Sequence, residues 1–308
     1  MAELKSYIDG TKAVVDPEEM RDPELRELVE KLGNAMVRAQ QDTAVEKRTA
    51  QIIQFPLFPE EKRPVSNDVA RSALFSCVQG KDRQMFEDAL LATVEGIEIR
   101  FTGRQFNQDD HDVLMQLVYM AAYKPLGEYV MVPANAILKA LGRKIGKSQH
   151  TQLEDEITRL VSGTVIVRQK GIGKYIGHLV DNAFKDDITR RWCYRFNPDL
   201  RALYGPHAYT LINWEQRITL RGKDLARWLH LYLVGHAAPF PVKVATLKKL
   251  SGSRAKELKN FRGKLRLALN DLKATHIIDD WMIDKNDLVH VVRGEAISES
   301  QKRHLLRQ

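Results

Sequence analysis

Between Leu250 and Lys273, residues that can hold a phosphate or read a base edge recur along one flank of a predicted helix: Lys256, Lys259, Arg262, Arg266, Asn270 and Lys273. At roughly 100° per residue they form a single stripe, while Glu257 and Asp271 fall on the far side. Lysine ammonium groups neutralise phosphate as point charges, and guanidinium forks reach guanine bidentately. Ser253, Arg254, Lys256, Lys259, Asn260, Arg262 and Arg266 are therefore the residues expected against bases and phosphates. Gly263, in mid-helix, costs about 1 kcal/mol relative to alanine; it allows close approach of the backbone or is simply tolerated.

The elements that must position this stripe are legible around it. Leu258, Phe261, Leu265, Ala268 and Leu272 recur at steps of three and four, the pattern of a helix face turned to a core. Ser251 or Ser253 supplies an N-cap and Gly252 a tight turn after a preceding helix, Val244 to Leu250. Helix, tight turn and basic amphipathic helix is the sequence form of a helix-turn-helix whose second helix enters a major groove.

The order of elements repeats. Ala136-Ile-Leu138-Lys139-Ala-Leu141-Gly142 matches Ala245-Thr-Leu247-Lys248-Lys-Leu250-Ser-Gly252, 109 positions apart with one insertion. In each half the expected order is helix, strand, helix, helix, strand, strand, with wing tips at Lys170–Lys174 and Asp284–Asp287. The expected fold is α+β: two tandem winged-helix domains after a partly disordered or helical N-terminal segment. The earlier copy of the second helix, 147–161, opens with Lys147, Ser148 and Gln149 but continues through Glu154, Asp155 and Glu156. Those acids repel phosphate, so only its first turn is expected at DNA.

Charge is unevenly placed within a net +8: residues 188–308 hold 23 Lys and Arg against 11 Asp and Glu, a net +12, and the remainder is net −4. Such asymmetry points to a polyanion docking on one side. No apolar run approaches the ~20 residues of a membrane span, and the N-terminus lacks a signal-peptide core, so no membrane partner and a cytoplasmic location are expected. Two cysteines, Cys77 and Cys193, are too few for a disulfide framework or a cysteine zinc site. The nine histidines show no ligand spacing, and Gly171-Ile-Gly-Lys174 lacks the full phosphate-loop pattern. No catalytic residue, metal or cofactor is expected, and Asp109-Asp110-His111-Asp112 reads as acids capping a helix.

Upstream, Asp16-Pro17-Glu18-Glu19 is a helix start and Leu25, Leu28, Leu32 and Met36 follow at helical spacing. Next, Pro56, Pro59 and Pro64 keep residues 51–64 extended and exposed. Apolar anchors in an extended segment suit a groove on a partner, or a tether packed on its own domain. Gln54-Phe55-Pro56-Leu57-Phe58 resembles the bacterial sliding-clamp pentapeptide, a resemblance that assigns Gln54 to a polar pocket and Leu57 and Phe58 to an apolar one.

Asn67-Asp-Val-Ala-Arg-Ser-Ala-Leu-Phe75, Tyr209-Thr-Leu-Ile-Asn-Trp214, Pro239-Phe-Pro-Val242 and Asp287-Leu-Val-His290 together resemble the TrfA-type plasmid replication initiators, from about residue 51 to 293. The resemblance implies a two-winged-helix protein that binds direct repeats (iterons) in double-stranded DNA at an origin, opens adjacent duplex and recruits host initiator and helicase machinery. It also implies a homodimer as an alternative state and the sliding clamp as a partner. The corresponding division is 1–66, an N-terminal segment with the clamp-type peptide; 67–205, a first winged helix; 206–295, a second and the main DNA reader; and 296–308, a tail. A winged-helix transcriptional repressor, autoregulatory or not, is the competing function.

Overall fold

The computed structural model describes residues 6–8, 11–13, 27, 31, 53–80, 82–169, 173–186, 188–205, 208–236 and 240–293. The chain divides into two units, residues 1–52 and 53–308. In the first, Ser6–Ile8 (β1) pairs antiparallel with Thr11–Ala13 (β2), and Lys31 lies 2.6 Å from Glu27. The rest of the helix expected from residue 16 and the tail 296–308 lie outside the described residues.

The second unit is mixed α+β. Lys62–Ser66 (β3) and the short helix Asn67–Ala70 (α1) lead to Phe75–Ser76 (β4) and the antiparallel pair Met85–Leu91 (β5) and Ile97–Arg104 (β6). Phe106–Asn107 (β7) then runs into Gln108–Ala121 (α2). The cap itself is Asn107, and of Asp109 to Asp112, which lie within the helix, only Asp110 shares in it: the Asn107 side chain accepts from the Asp109 and Asp110 N–H groups at 3.0 and 3.3 Å, and Asp110 Oδ2 accepts from Asn107 N–H at 2.8 Å. These bonds occupy donors that the first turn leaves without helical partners. Val130–Pro133 (β8), Ala134–Ala140 (α3), Lys147–Ser162 (α4), Thr164–Gln169 (β9) and Gly173–His178 (β10) complete the first half of the repeat. Its wing tip, 170–172, lies outside the described residues.

Asn182–Lys185 (β11), Arg191–Arg195 (β12), Tyr209–Asn213 (β13) and Trp214–Thr219 (α5) separate the halves. Asp224–Val234 (α6), Val242–Lys243 (β14), Val244–Leu250 (α7), Leu258–Ala274 (α8), Ile278–Ile283 (β15) and Leu288–Arg293 (β16) then repeat the order. The matched glycines adopt the same conformation: Gly142 after α3 and Gly252 after α7 both have φ +63°.

The halves differ in how their sheets close. In the later one β14, β16 and β15 form one three-stranded sheet. In the earlier one β8 leaves the hairpin and pairs with β12, while β9 and β10 extend β6 and β5 into a four-stranded sheet. Alternation explains that sheet: Ile99, Phe101, Val165, Val167 and Tyr175 all point to one buried face. The β3–β13 pair, from Lys62↔Asn213 to Ser66↔Tyr209, lies across the boundaries expected near residues 66 and 206.

Two hydrophobic cores result, one around Leu114, Leu117, Leu138 and Leu153, the other around Trp228, Leu247, Phe261 and Leu265. Between them runs a seam of charge. Arg217 of α5 donates to Asp112 at 2.7 Å and to Gln108 at 2.8 Å. Arg227 of α6 donates to Asp112 at 2.5 Å, to Asp109 at 2.8 Å, to Asp224 at 2.9 Å and to the Gln108 carbonyl at 2.8 Å. Burial pushes the Asp112 carboxyl upward, but the two guanidinium groups outweigh it and hold it below the usual range. Arg227→Met strands three carboxylates in or beside this seam, so it is expected to cost about 3–5 kcal/mol in a urea titration, far more than Arg168→Met at the exposed pair with Glu98.

Candidate nucleic-acid interface

Helix α8 buries Phe261, Leu265, Ala268, Leu269 and Leu272 against α6 and α7 and turns its cations outward, as its periodicity requires. It begins at Leu258, four residues later than expected from sequence, and neither serine caps it: the N-cap is Glu257, without a side-chain hydrogen bond. Ser251 Oγ instead donates to the Lys248 carbonyl at 3.2 Å, and Ser253 Oγ accepts from Ala255 N–H at 3.4 Å. The delay has a tertiary cause. Ser251 O accepts from Cys77 N–H at 2.9 Å, and Arg254 donates to the Asp82 carbonyl, so the turn is laid along the segment after β4 instead of winding into helix. Ser253, Arg254 and Lys256 thus belong to the turn, with Arg254 already engaged.

Within the stripe, the cations fall into two groups. Lys256, Lys259 and Arg266 are exposed, as is Asn260, and their side chains make no hydrogen bond or ion pair among the described residues. Arg262 grips the wing tip: Nε donates to Asp287 Oδ1 at 2.8 Å and Nη2 to Oδ2 at 2.5 Å. Farther along, Asn270 Oδ1 accepts from Trp281 Nε1 at 3.1 Å, and Lys273 reaches Asp280 at 2.8 Å. Arg262, read from sequence as a base or phosphate contact, therefore fastens the β15–β16 hairpin to α8, together with Asn270 and Lys273. Helical periodicity could not separate these roles because the acids that claim Arg262 and Lys273 come from a hairpin later in the chain. Lys264, outside the stripe, is exposed and lines a cleft of about 500 Å³ with Lys223, Arg254 and Asp82.

In the earlier half Lys147 and Ser148 are exposed on the first turn of α4, while Gln149 is half-buried and accepts from Arg221 at 3.4 Å. Glu156 is not a surface acid: it is buried and bidentate to Arg143 at 2.6 and 3.0 Å. Lys185, Thr189 and Arg190 of the β11–β12 turn meet Lys147 and His150 around a cleft of about 520 Å³. The sequence reading passed over these cations, although Lys185 to Arg191 is basic enough to have been noticed.

The clamp-type segment lies on its own domain. Phe58 is buried edge-on to Tyr209 with ring centres 5.8 Å apart, Phe55 packs on Phe196 and Tyr204, and Gln54 Nε2 donates to the Ala122 carbonyl at 2.6 Å. Leu57 faces solvent, 65% exposed. The expectation that prolines keep the segment exposed fails at the phenylalanines: Phe55 and Phe58 stand three residues apart, the repeat of a three-per-turn extended chain and not of a strand, so both can cover the core while Leu57 does not.

Among the described residues no three His, Cys, Asp or Glu side chains converge on a possible metal position, and no helix is long and apolar enough to cross a membrane. Cys77 is pushed up to about 11 by burial, which leaves it a poor nucleophile.

Comparison with known proteins places these features. The fold is that of the second and third domains of RctB, matched over 74% of this chain and 96% of that one at a TM-score of 0.50 and 12% identity. A solved complex of the Pi initiator protein with iteron DNA matches 60% of this chain and 95% of its own at a TM-score of 0.46 and 12% identity. The family described as TrfA protein matches residues 24–293, and the chain belongs to it. The plasmid replication initiator protein TrfA of Escherichia coli is 25% identical over 244 residues, 77% of this chain and 63% of that protein. The chain therefore spans less than two thirds of the length of that curated relative.

Two glycines separate fold from interface. A Cβ on Gly252 would stand 2.7 Å from Ser76 Cβ at a φ of +63°, whereas one on Gly263 meets open space. Gly252→Ala is expected to destabilise by about 1–3 kcal/mol and Gly263→Ala to stabilise by about 1 kcal/mol, read as opposite shifts in thermal melting. A Gly263→Ala chain that melts higher yet holds DNA less well assigns that position to close approach.

Proposed function

We propose that this chain initiates plasmid replication by binding directly repeated sequences at an origin, through two tandem winged helices of which the later is the main reader. Membership of the TrfA family, matched over residues 24–293, supports the class of activity. The observation that carries the DNA-binding step is the row of Lys256, Lys259 and Arg266, exposed and without a side-chain hydrogen bond or ion pair among the described residues, on and just before a helix whose other face is a core. Lysine and arginine left unpaired on a rigid helix release counterions on meeting a duplex, which supplies affinity, while Arg266 and Asn260 have the donor geometry for base edges. Lys147, Ser148, Lys185 and Arg190 add a weaker contact from the earlier half.

Opening of adjacent duplex and recruitment of host replication proteins enter this proposal through the family alone. Engagement of a sliding clamp by Gln54, Leu57 and Phe58 has less behind it: two of the three are occupied within the chain, and the segment must peel from the core before an apolar pocket can take Phe58.

A footprint on the chain's own plasmid is expected to show protected direct repeats. In gel-shift titrations of that protected duplex, Lys259→Ala with Arg266→Ala should lower the slope of log affinity against log salt by about 0.9 per truncated cation and collapse binding at moderate salt. Protection confined to a promoter, or unchanged binding by the double variant, would move the function or the surface elsewhere.

A further inference from the structure

We infer that Asp287, at the tip of the β15–β16 hairpin, limits how tightly α8 holds duplex DNA of any sequence, by keeping Arg262 from phosphate. This rests on the DNA-binding reading above. Arg262 stands one turn from Lys259 and one from Arg266, in the middle of the row, yet its guanidinium is spent on a bidentate pair at 2.8 and 2.5 Å, while the Lys259 ammonium and the Arg266 guanidinium make no hydrogen bond or ion pair among the described residues and Arg266 feels Asp287 only through space. Side chains of both partners are about one third exposed, so the pair lies at the surface where a duplex would sit, not beneath it.

The acid is fixed in place. Its N–H donates to the Asp284 carbonyl at 3.1 Å, its carbonyl accepts from Val244 N–H at 2.9 Å, and its φ is +62°. The carboxylate thus stands on a backbone tied both to the hairpin turn and to the start of α7, and it cannot follow a departing side chain. Of the other hairpin acids, Asp280 is committed to Lys273 at 2.8 Å, and Asp284 to His290 at 3.1 Å and to the N–H groups of Asn286 and Leu288, while Asp279 is exposed at the far end of the hairpin from the tip. Asp287 is the one that faces the centre of the cationic row.

A cation neutralised by a fixed carboxylate adds nothing to counterion release, and the carboxylate repels a phosphate brought near it. Phosphates recur on every sequence, so freeing Arg262 adds affinity for any duplex. Binding to the correct repeat gains by the same factor, so the ratio between the two is unchanged while more of the chain is held on competitor sites of any sequence.

The test is a set of fluorescence anisotropy titrations of the full chain, as wild type, Asp287→Asn, Arg262→Met and the double variant, against a random-sequence duplex and the footprinted duplex. For the random duplex, Asp287→Asn is expected to steepen the log–log salt slope by about 0.9, an extra loss of about threefold between roughly 50 and 200 mM salt. It is also expected to tighten binding of both duplexes at the lower salt by a similar factor, leaving the ratio between them unchanged. Arg262→Met is expected to leave the wild-type slope unchanged, and the double variant to return to it. An unchanged slope in Asp287→Asn, or a slope that Arg262→Met alone reduces, overturns the inference, because Arg262 would then be inert or already on phosphate. Should Asp287→Asn fail to fold, Asp287→Gly, which the φ of +62° accommodates, takes its place with the same expected steepening. A wild-type chain that binds neither duplex overturns the DNA-binding reading itself.

Discussion

Arg217 and Arg227 hold this molecule in one arrangement. Each is almost wholly buried, and between them they bind Gln108, Asp109 and Asp112 at the start of α2 from α5 and α6. Isolated buried guanidinium groups would be prohibitively costly, so the two hydrophobic cores can meet only where those acids and amides are supplied. The seam acts as a register mark between the halves: apolar surfaces could slide against one another, but forked donors and fixed carboxylates accept few alternatives.

A second junction follows from that register. The turn before α8 lies along the segment after β4, with Gly252 so close to Ser76 that no side chain fits and Arg254 held by the Asp82 carbonyl. Residues of the earlier half therefore decide where the helix of the later half begins. The hairpin is tied in turn to that helix by Arg262, Asn270 and Lys273. Helix α8, the turn before it and the β15–β16 hairpin are thus fastened to one another, and the cations of the stripe left over, Lys256, Lys259 and Arg266, make no side-chain hydrogen bond or ion pair among the described residues. An unused charge on a rigid frame is available to a polyanion at little conformational cost.

Much of this was legible beforehand. The repeat of Ala136–Gly142 in Ala245–Gly252 marks two glycines of identical φ, and the spacing of Phe261, Leu265 and Leu272 marks the buried face of α8. Of the acids after Asn107 read as caps, Asp110 closes the capping box, while Asp109 and Asp112 lie inside the helix and serve the seam. What escaped were the partnerships across long separations. The β3–β13 pair joins residues more than a hundred positions apart, and the departure of β8 from its hairpin to join β12 has no local signal.

The amino-acid sequence by itself determined the α+β character, the recurrent helix and hairpin order, the basic flank and the family, because periodicity, turn residues and charge act over a few neighbours. Tertiary structure alone decided which cations remain free, where α8 starts and that Phe58 belongs to a core. The reason is physical: a charge or a ring is spent or available according to what lies within a few ångströms of it, and for Arg262, Arg254 and Phe58 those neighbours are Asp287, Asp82 and Tyr209. Spacing along the chain carries no record of such distances.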